Sequence, residues 1–427
     1  MGAAAGRAAS LGVVAPRWPV VPLKYQLEYI EGPGIMAADF VTDGVPLLRI
    51  SSVAGRHVTL DGCDYLEPRL VALKWSHFQV KARDLLISGS ASTGLCAEVT
   101  EETVGAVPYT GLIIIRPRCD FDRDFARWFL LSDLFAQQVA VLQAGSAIQH
   151  FGPSHLGVMF CPVPPPTQQR AIARFLDDEV EAIDAAVSAK RRVLELLAEK
   201  RKAIIATAVT RGLDPKVKLR DSGVPWLGEL PAHWEIERAR WLFRERDERG
   251  EPDLPLMEVS IAKGVSVREF SDEKIETTAA DFNSYKVARK NDIAFNKMRM
   301  WQGAVGVSPT DGLVSPDYVV AEPTGSMLPD YSGLLFRIEA LSAECGRRSH
   351  GLTWDRLRIY WDEFREIQLP LPPAAEQQAV VEHIARETAK LDAVRAATER
   401  TIALLKERRS ALIAAAVTGQ LDAGAVA

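Results

Sequence analysis

Residues 162–214 and 370–422 align without a gap at a constant offset of 208, and roughly 22 of the 53 paired positions are identical. The first copy reads PVPPPTQQRAIARFLDDEVEAIDAAVSAKRRVLELLAEKRKAIIATAVTRGLD and the second PLPPAAEQQAVVEHIARETAKLDAVRAATERTIALLKERRSALIAAAVTGQLD. Solenoid units recur every ~20–50 residues, so this period is too long for one. It implies that a whole unit, each segment with what precedes it, occurs twice.

Each copy opens on prolines: Pro162, Pro164, Pro165 and Pro166, or Pro370, Pro372 and Pro373. A fixed φ and a missing N–H forbid a preceding helix but suit a first helical turn. The first copy then runs without Pro or Gly from Thr167 to Arg211 and meets Gly212 and Pro215, the usual stop signals. At ~1.5 Å per residue such a helix is a rod about 65 Å long.

Its apolar positions Ile172, Leu176, Val180, Ile183, Val187, Leu194, Leu197, Ile204 and Ala208 follow spacings of three and four. With Lys190 and Arg201 as polar seam positions the period averages about 3.5, that of a coiled coil. The second copy repeats the seam with Val380, Ile384, Leu391, Ile402, Leu405, Leu412 and Ala416, interrupted by Arg395, Thr398 and Arg409. The two helices are therefore expected to pair, through Leu176, Ile183, Val187, Leu194, Leu197 and Ile204 on one and Ile384, Leu391, Ile402, Leu405 and Leu412 on the other. The alternative is that each helix packs its stripe on the core of its own globule.

The stretches before the helices are of similar length and read as mixed α/β. Pro46–Ile50, Asp84–Ser88 and Gly111–Arg116 have the apolar runs of strands, and Asp124–Gln138 has helical spacing of Phe125, Trp128, Phe129 and Leu134. The expected plan is a loose tail at 1–16, a globule at 17–161, a helix at 162–214, a linker at 215–221, a globule at 222–369, a helix at 370–422 and a tail at 423–427. The Pro-, Gly- and charge-rich run over 213–235 has linker composition, and Trp18 stands in globule one where Trp234 stands in globule two. Apart from this the globules diverge, which suits two related tasks on different targets.

A formal net charge of -5 and a pI near 5.9 argue against a surface that coats nucleic acid and leave room only for local basic patches. Cys63, Cys96, Cys119, Cys161 and Cys345 form no C-x-x-C pair and are too few for a disulfide scaffold, which fits a reducing cytoplasm. The first sixteen residues lack the apolar core of a signal peptide or a membrane helix, so no membrane association is expected. No Walker-type loop, G-x-S-x-G elbow, H-E-x-x-H or metal-spaced Cys/His cluster is present. Pro252-Asp253 with Glu258 lacks the lysine of a nuclease site, and methyl transfer would need a glycine-rich turn that is missing. The expectation is a non-catalytic chain with no cofactor or metal of its own.

In globule two, YKVARKNDIAFNKMRMWQG carries Lys286, Arg289, Lys290, Lys297 and Arg299 against one acid, Asp292, and mixes them with Tyr285, Asn296, Trp301 and Gln302. Cations neutralise phosphates while Asn, Gln and Arg pair with base edges, so the composition suits a groove-facing loop. Lys297, Arg299, Trp301 and Gln302, with Lys290, are the leading DNA-contact candidates; Arg347, Arg348 and His350 follow. Globule one offers weaker counterparts: Arg49, Ser90 in the SGSASTG turn, and Ser146 and Gln149 in GSAIQH. An ordinary solvated charged face would have the same composition.

These residues carry a resemblance. The P-x-P-P…Q-Q…helix ending in T-x-G-L-D or a close variant, twice, each after a variable globule, resembles the specificity subunit of type I restriction-modification enzymes. GVPWLGELPAHWE at 223–235 is similar to that family's lead-in to a target-recognition domain, and FNKMRMWQGAVGVS with DGLVSPDYVV to a common variant of the domain itself. The first lead-in is cut to APRWP, and Gly419-Gln420 replaces Arg211-Gly212. The resemblance implies two α/β target-recognition domains, each reading half of a bipartite, asymmetric site in double-stranded DNA, separated by two long antiparallel coiled-coil helices with a pseudo-twofold repeat. It also implies partners: two adenine-N6 methyltransferase subunits and restriction motor-nuclease subunits, which would hold S-adenosylmethionine, ATP and Mg2+. A coiled-coil scaffold joining two protein-binding modules without touching DNA is the alternative.

Overall fold

The computed structural model describes residues 17–89, 95–118, 120–144, 151–268, 282–351 and 357–421. The two long helices are α1, Pro166–Arg211, and α2, Ala374–Thr418. The chain divides into two compact units, Met1–Lys190 with Arg400–Ala427, and Arg191–Glu399. Each unit therefore contains one globule, the first part of the helix that follows it and the last part of the other helix.

Both helices start later than the proline clusters suggest. Phe160–Pro162 is a strand paired antiparallel with Val20–Pro22, and Gln368–Leu371 pairs the same way with Glu235–Arg238. The first prolines thus end a two-stranded ribbon, where a missing N–H costs no ladder bond, and the helix begins at the last of them in α1. Each helix stops at a left-handed glycine, Gly212 at φ 73° and Gly419 at φ 76°. Glycine suits this place twice over, because a Cβ on Gly419 would meet the Trp18 ring at 3.2 Å and one on Gly212 the Trp234 ring at 3.2 Å.

The repeated motif residues anchor helix to globule. Gln169, 1% exposed, accepts from the Asp122 N–H at 2.6 Å and donates to the Pro164 carbonyl at 2.8 Å. Gln377, fully buried, accepts from the Leu328 N–H at 2.7 Å and donates to the Pro372 and Ser326 carbonyls at 2.9 and 3.1 Å. The tryptophans add a second clasp. Trp18 Nε1–H donates to Gln168 Oε1, and Trp234 Nε1–H donates to Glu376 Oε2.

Within each unit the helix segments run antiparallel. In the first, Asp184 meets Arg409 at 3.2 Å while Leu176, earlier in α1, shares a core with Ile413 and Ala416, later in α2; in the second, Arg201 meets Asp392 at 2.7 Å while the later Ala208 shares a core with the earlier Val380 and Ile384, so numbers fall along one helix as they rise along the other. Leu176, Ile183, Val187 and Ile384 are buried, and Leu194, Leu197, Ile204, Leu391, Ile402, Leu405 and Leu412 are partly buried. The apolar stripe does two jobs rather than one. Ile172, Leu176, Val180, Ile413, Ala416 and Val417 join the core of globule one with Phe125 and Phe129, and Ala208, Val209, Val380 and Ile384 join that of globule two with Phe295 and Phe336. Helix pairing and packing on the globule, posed as alternatives by the sequence, both occur because the helix ends carry apolar residues around more than one face.

The globules share a sheet. Globule one has β1 (Leu27–Glu31), β2 (Leu85–Ser88), β3 (Cys96–Glu98) and β4 (Leu112–Pro117) in the order β1-β4-β2-β3, all antiparallel. Globule two has β5 (Phe243–Arg246), β6 (Ile293–Asn296), β7 (Val305–Val307) and β8 (Tyr318–Pro323) in the order β5-β8-β6-β7, again antiparallel. The strands differ around this frame: a second four-stranded sheet in globule one, separate two-stranded pairs in globule two. The single helix expected over 124–138 is two, Arg123–Leu130 and Asp133–Ala144, because the Ser132 hydroxyl donates to the Phe129 carbonyl at 2.6 Å and turns the chain between them. The fold class read from sequence is otherwise the one adopted, a duplicated α/β globule with two long antiparallel helices.

Candidate nucleic-acid interface

The strand β6 delivers the leading candidates. After Asn296 the chain passes Lys297 and Arg299, makes a 3-10 turn over Met300–Gln302 and reverses at Gly303, whose φ of 90° only glycine adopts without strain, to enter β7. The Lys297 carbonyl accepts from the Ile359 N–H at 3.0 Å. In globule one, 208 positions earlier in both partners, the Gly89 carbonyl accepts from the Phe151 N–H at 2.9 Å. Gly89, at the end of β2, therefore holds the place in globule one that Lys297, at the end of β6, holds in globule two. Ser90, Ser146 and Gln149 lie outside the described residues.

The backbone bond to Ile359 also joins the two basic clusters of globule two. Lys297 is half-buried with its ammonium 5.6 Å from the centre of the Tyr360 ring, Arg358 reaches Met298 Sδ at 3.9 Å, and a Cβ on Gly346 would meet Trp301 Cβ at 3.5 Å. Arg299 and Gln302 are exposed. Trp301 donates its Nε1–H to the Met298 carbonyl at 3.0 Å and, with Gln302, Arg201, Lys202 and Arg337, lines a cleft of about 1040 Å³. His350 is exposed, forms a bridge with Arg358 and lies 3.3 Å from Glu363. Tyr360, 42% exposed beside Lys297, is a further candidate that sequence reasoning missed, because it lies beyond the charged run.

Other candidates are more committed to the protein. Arg347 and Arg348 both bind the Glu344 carboxylate, and although burial acts to raise that acid, their hydrogen bonds hold it below its ordinary range. Arg347 nevertheless keeps 66% of its side chain exposed, whereas Arg348 keeps 26%. Lys290 is exposed, its backbone N–H held by Asp311. Arg49 is clasped by Asp64 and sits 4.5 and 5.1 Å from the Tyr109 and Phe40 ring centres.

The basic run itself is thinner than its composition suggests. Lys286 is 4% exposed with its ammonium 3.0 Å from Asp247. Arg289 binds Glu248 and Glu251 and lies 3.2 Å from Asp311. These acids come from distant stretches, so a local charge count could not find them. Among the described residues no cluster of His, Cys, Asp and Glu is placed to hold a metal ion, and no helix is long and apolar enough to cross a membrane.

No family model matches the chain. It is 20% identical over 443 aligned residues to the type I restriction enzyme EcoKI specificity subunit of Escherichia coli K12, covering 97% of this chain and 91% of that protein. The StySPI specificity subunit of Salmonella potsdam is 23% identical over 112 residues, 26% of this chain and 24% of that one. In fold, the chain is similar to the HsdS subunit of Thermoanaerobacter tengcongensis, with TM-score 0.54, 16% identity and coverage of 96% and 98%. It is also similar to a chain from a structure describing complex assembly and conformational transition of the type I R-M system, with TM-score 0.65, 17% identity and coverage of 96% and 100%. Along almost its whole length, then, the chain with its duplicated frame and paired anchors is similar in sequence to a type I restriction enzyme specificity subunit and in fold to an HsdS subunit.

Proposed function

We propose that the chain reads double-stranded DNA for a type I restriction-modification complex, each globule recognising one half of a bipartite, asymmetric site. The target-recognition domains are 17–161 and 222–369, and the repeated segments 162–214 and 370–422, through the helices Pro166–Arg211 and Ala374–Thr418 within them, set the spacing between half-sites. The chain is non-catalytic and positions two methyltransferase subunits and the restriction subunits in the cytoplasm. S-adenosylmethionine, ATP and Mg2+ belong to those partners. The observation that carries this reading is one backbone position used twice with different sequence: Gly89 after β2 opens GSASTGL, and Lys297, the equivalent residue after β6, opens KMRMWQG. One frame carrying two unlike sequences suits two unlike DNA words, and the second offers cations for phosphates and Gln and Arg for base edges.

A map of methylated adenines in cells with and without the chain tests this. Loss of one split motif is the expected result; an unchanged map overturns the reading. Lys297→Ala with Arg299→Ala should weaken binding of the assembled complex to a duplex carrying the site. It should also flatten the salt dependence by about 0.9 log units per lost phosphate contact. Binding with unchanged affinity and slope would take this loop out of the interface.

A further inference from the structure

The globules also share a feature at the opposite end of their sheets. Tyr25 and Trp241 are 64% and 65% exposed, far more than large aromatics usually are. Each follows a cation that lies over its ring, Lys24 at 5.3 Å and Arg240 at 5.5 Å from the ring centre. The backbone holds both in the same frame. Leu23 N–H donates to the Met159 carbonyl at 2.8 Å and Ala239 N–H to the Ile367 carbonyl at 2.8 Å, while Arg118 N–H donates to the Gln26 carbonyl at 2.7 Å and Thr324 N–H to that of Leu242 at 2.9 Å. In globule two β8 pairs Tyr318 with Asn296 at one end and Pro323 with Phe243 at the other. In globule one β4 pairs Leu112 with Ser88 and Pro117 with Leu27. Each ring is thus about 17 Å along the sheet from the loop position assigned to DNA.

Reading two different words requires different residues, and the loops do differ. A residue type kept at one exposed place in both globules has the opposite logic, because it suits one partner met twice. We infer that Tyr25 and Trp241, each with its cation, are twin docking anchors for two copies of one protein, which offers each ring an apolar recess. The inference rests on the function proposed above, in which that protein is the modification subunit. Aromatic anchors of this kind dominate interface energetics although neighbouring contacts contribute little.

The test titrates the full chain with its cognate modification subunit and counts bound copies by sedimentation velocity. The wild-type chain takes up two. Tyr25→Ala or Trp241→Ala should weaken one of the two sites by about thirtyfold and the double variant both, with Trp241→Phe restoring most of the loss and Lys297→Ala still binding two. Unchanged melting temperatures separate this from misfolding. Two copies bound at wild-type affinity by the double variant would overturn the inference. So would weakened binding to the split-site duplex with subunit binding intact, which would give the rings to DNA. A wild-type chain that binds no modification subunit would bring down the proposed function itself.

Discussion

Gln377→Ala is expected to cost about 3 kcal/mol of stability, more than any exposed substitution in the chain. The side chain is fully buried and serves three backbone groups: it accepts from Leu328 N–H and donates to the Pro372 and Ser326 carbonyls. Alanine leaves all three unpaired where water enters poorly, at about 1–3 kcal/mol for each group left without a partner, less what relaxation recovers. Gln377→Glu should be no better, since a carboxylate cannot donate to two carbonyls and brings a charge into the core. Gln169→Ala should act in the same way in the other unit, where two such bonds are at stake. Gln378→Ala, one residue on and exposed, should change stability by less than about 0.5 kcal/mol. Urea unfolding of the chain measures all four, and a Gln377→Ala loss below about 1 kcal/mol would mean that the clasp is not what fixes the helix start.

This clasp marks the limit of what a sequence exposes. The helices are legible because periodicity survives in local spacing: Ile183 and Val187 declare a buried face by position alone, before any partner is known. The role of Gln169 and Gln377 is not legible, because their partners Asp122 and Leu328 lie 47 and 49 residues away. The same limit thins the basic run. Lys286 and Arg289 look available beside a single acid, but folding brings Asp247, Glu248 and Glu251 against them. Conversely, Lys297 and His350 look like members of separate clusters until Ile359 and Arg358 join them. The equivalence of Gly89 after β2 and Lys297 after β6 is hidden for a functional reason: the residues that differ there are those proposed to read different words, so only the frame keeps the repeat.

Inserting three heptads into both helices should move the recognised half-sites apart by about nine base pairs, while one heptad should nearly abolish recognition. Matched insertions between Leu194 and Glu195 and between Thr398 and Glu399 preserve the antiparallel register set by Arg201 with Asp392 and Arg409 with Asp184. Each heptad adds about 10 Å of helix, and three add about 31 Å, against about 34 Å for a turn of DNA. Rotation decides between them. Over three heptads a left-handed supercoil with a pitch near 150 Å turns by roughly 75°, and nine base pairs fall roughly 50° short of a full turn, so both deviations run the same way. One heptad turns the helices by roughly 25° left-handed, whereas three base pairs turn the duplex by roughly 100° right-handed, which puts the second half-site on the wrong face. Methylated-adenine maps of cells expressing each variant should give the native half-words with the longer gap for three heptads and little modification for one. The native gap retained by either variant would mean that the helices do not set the spacing.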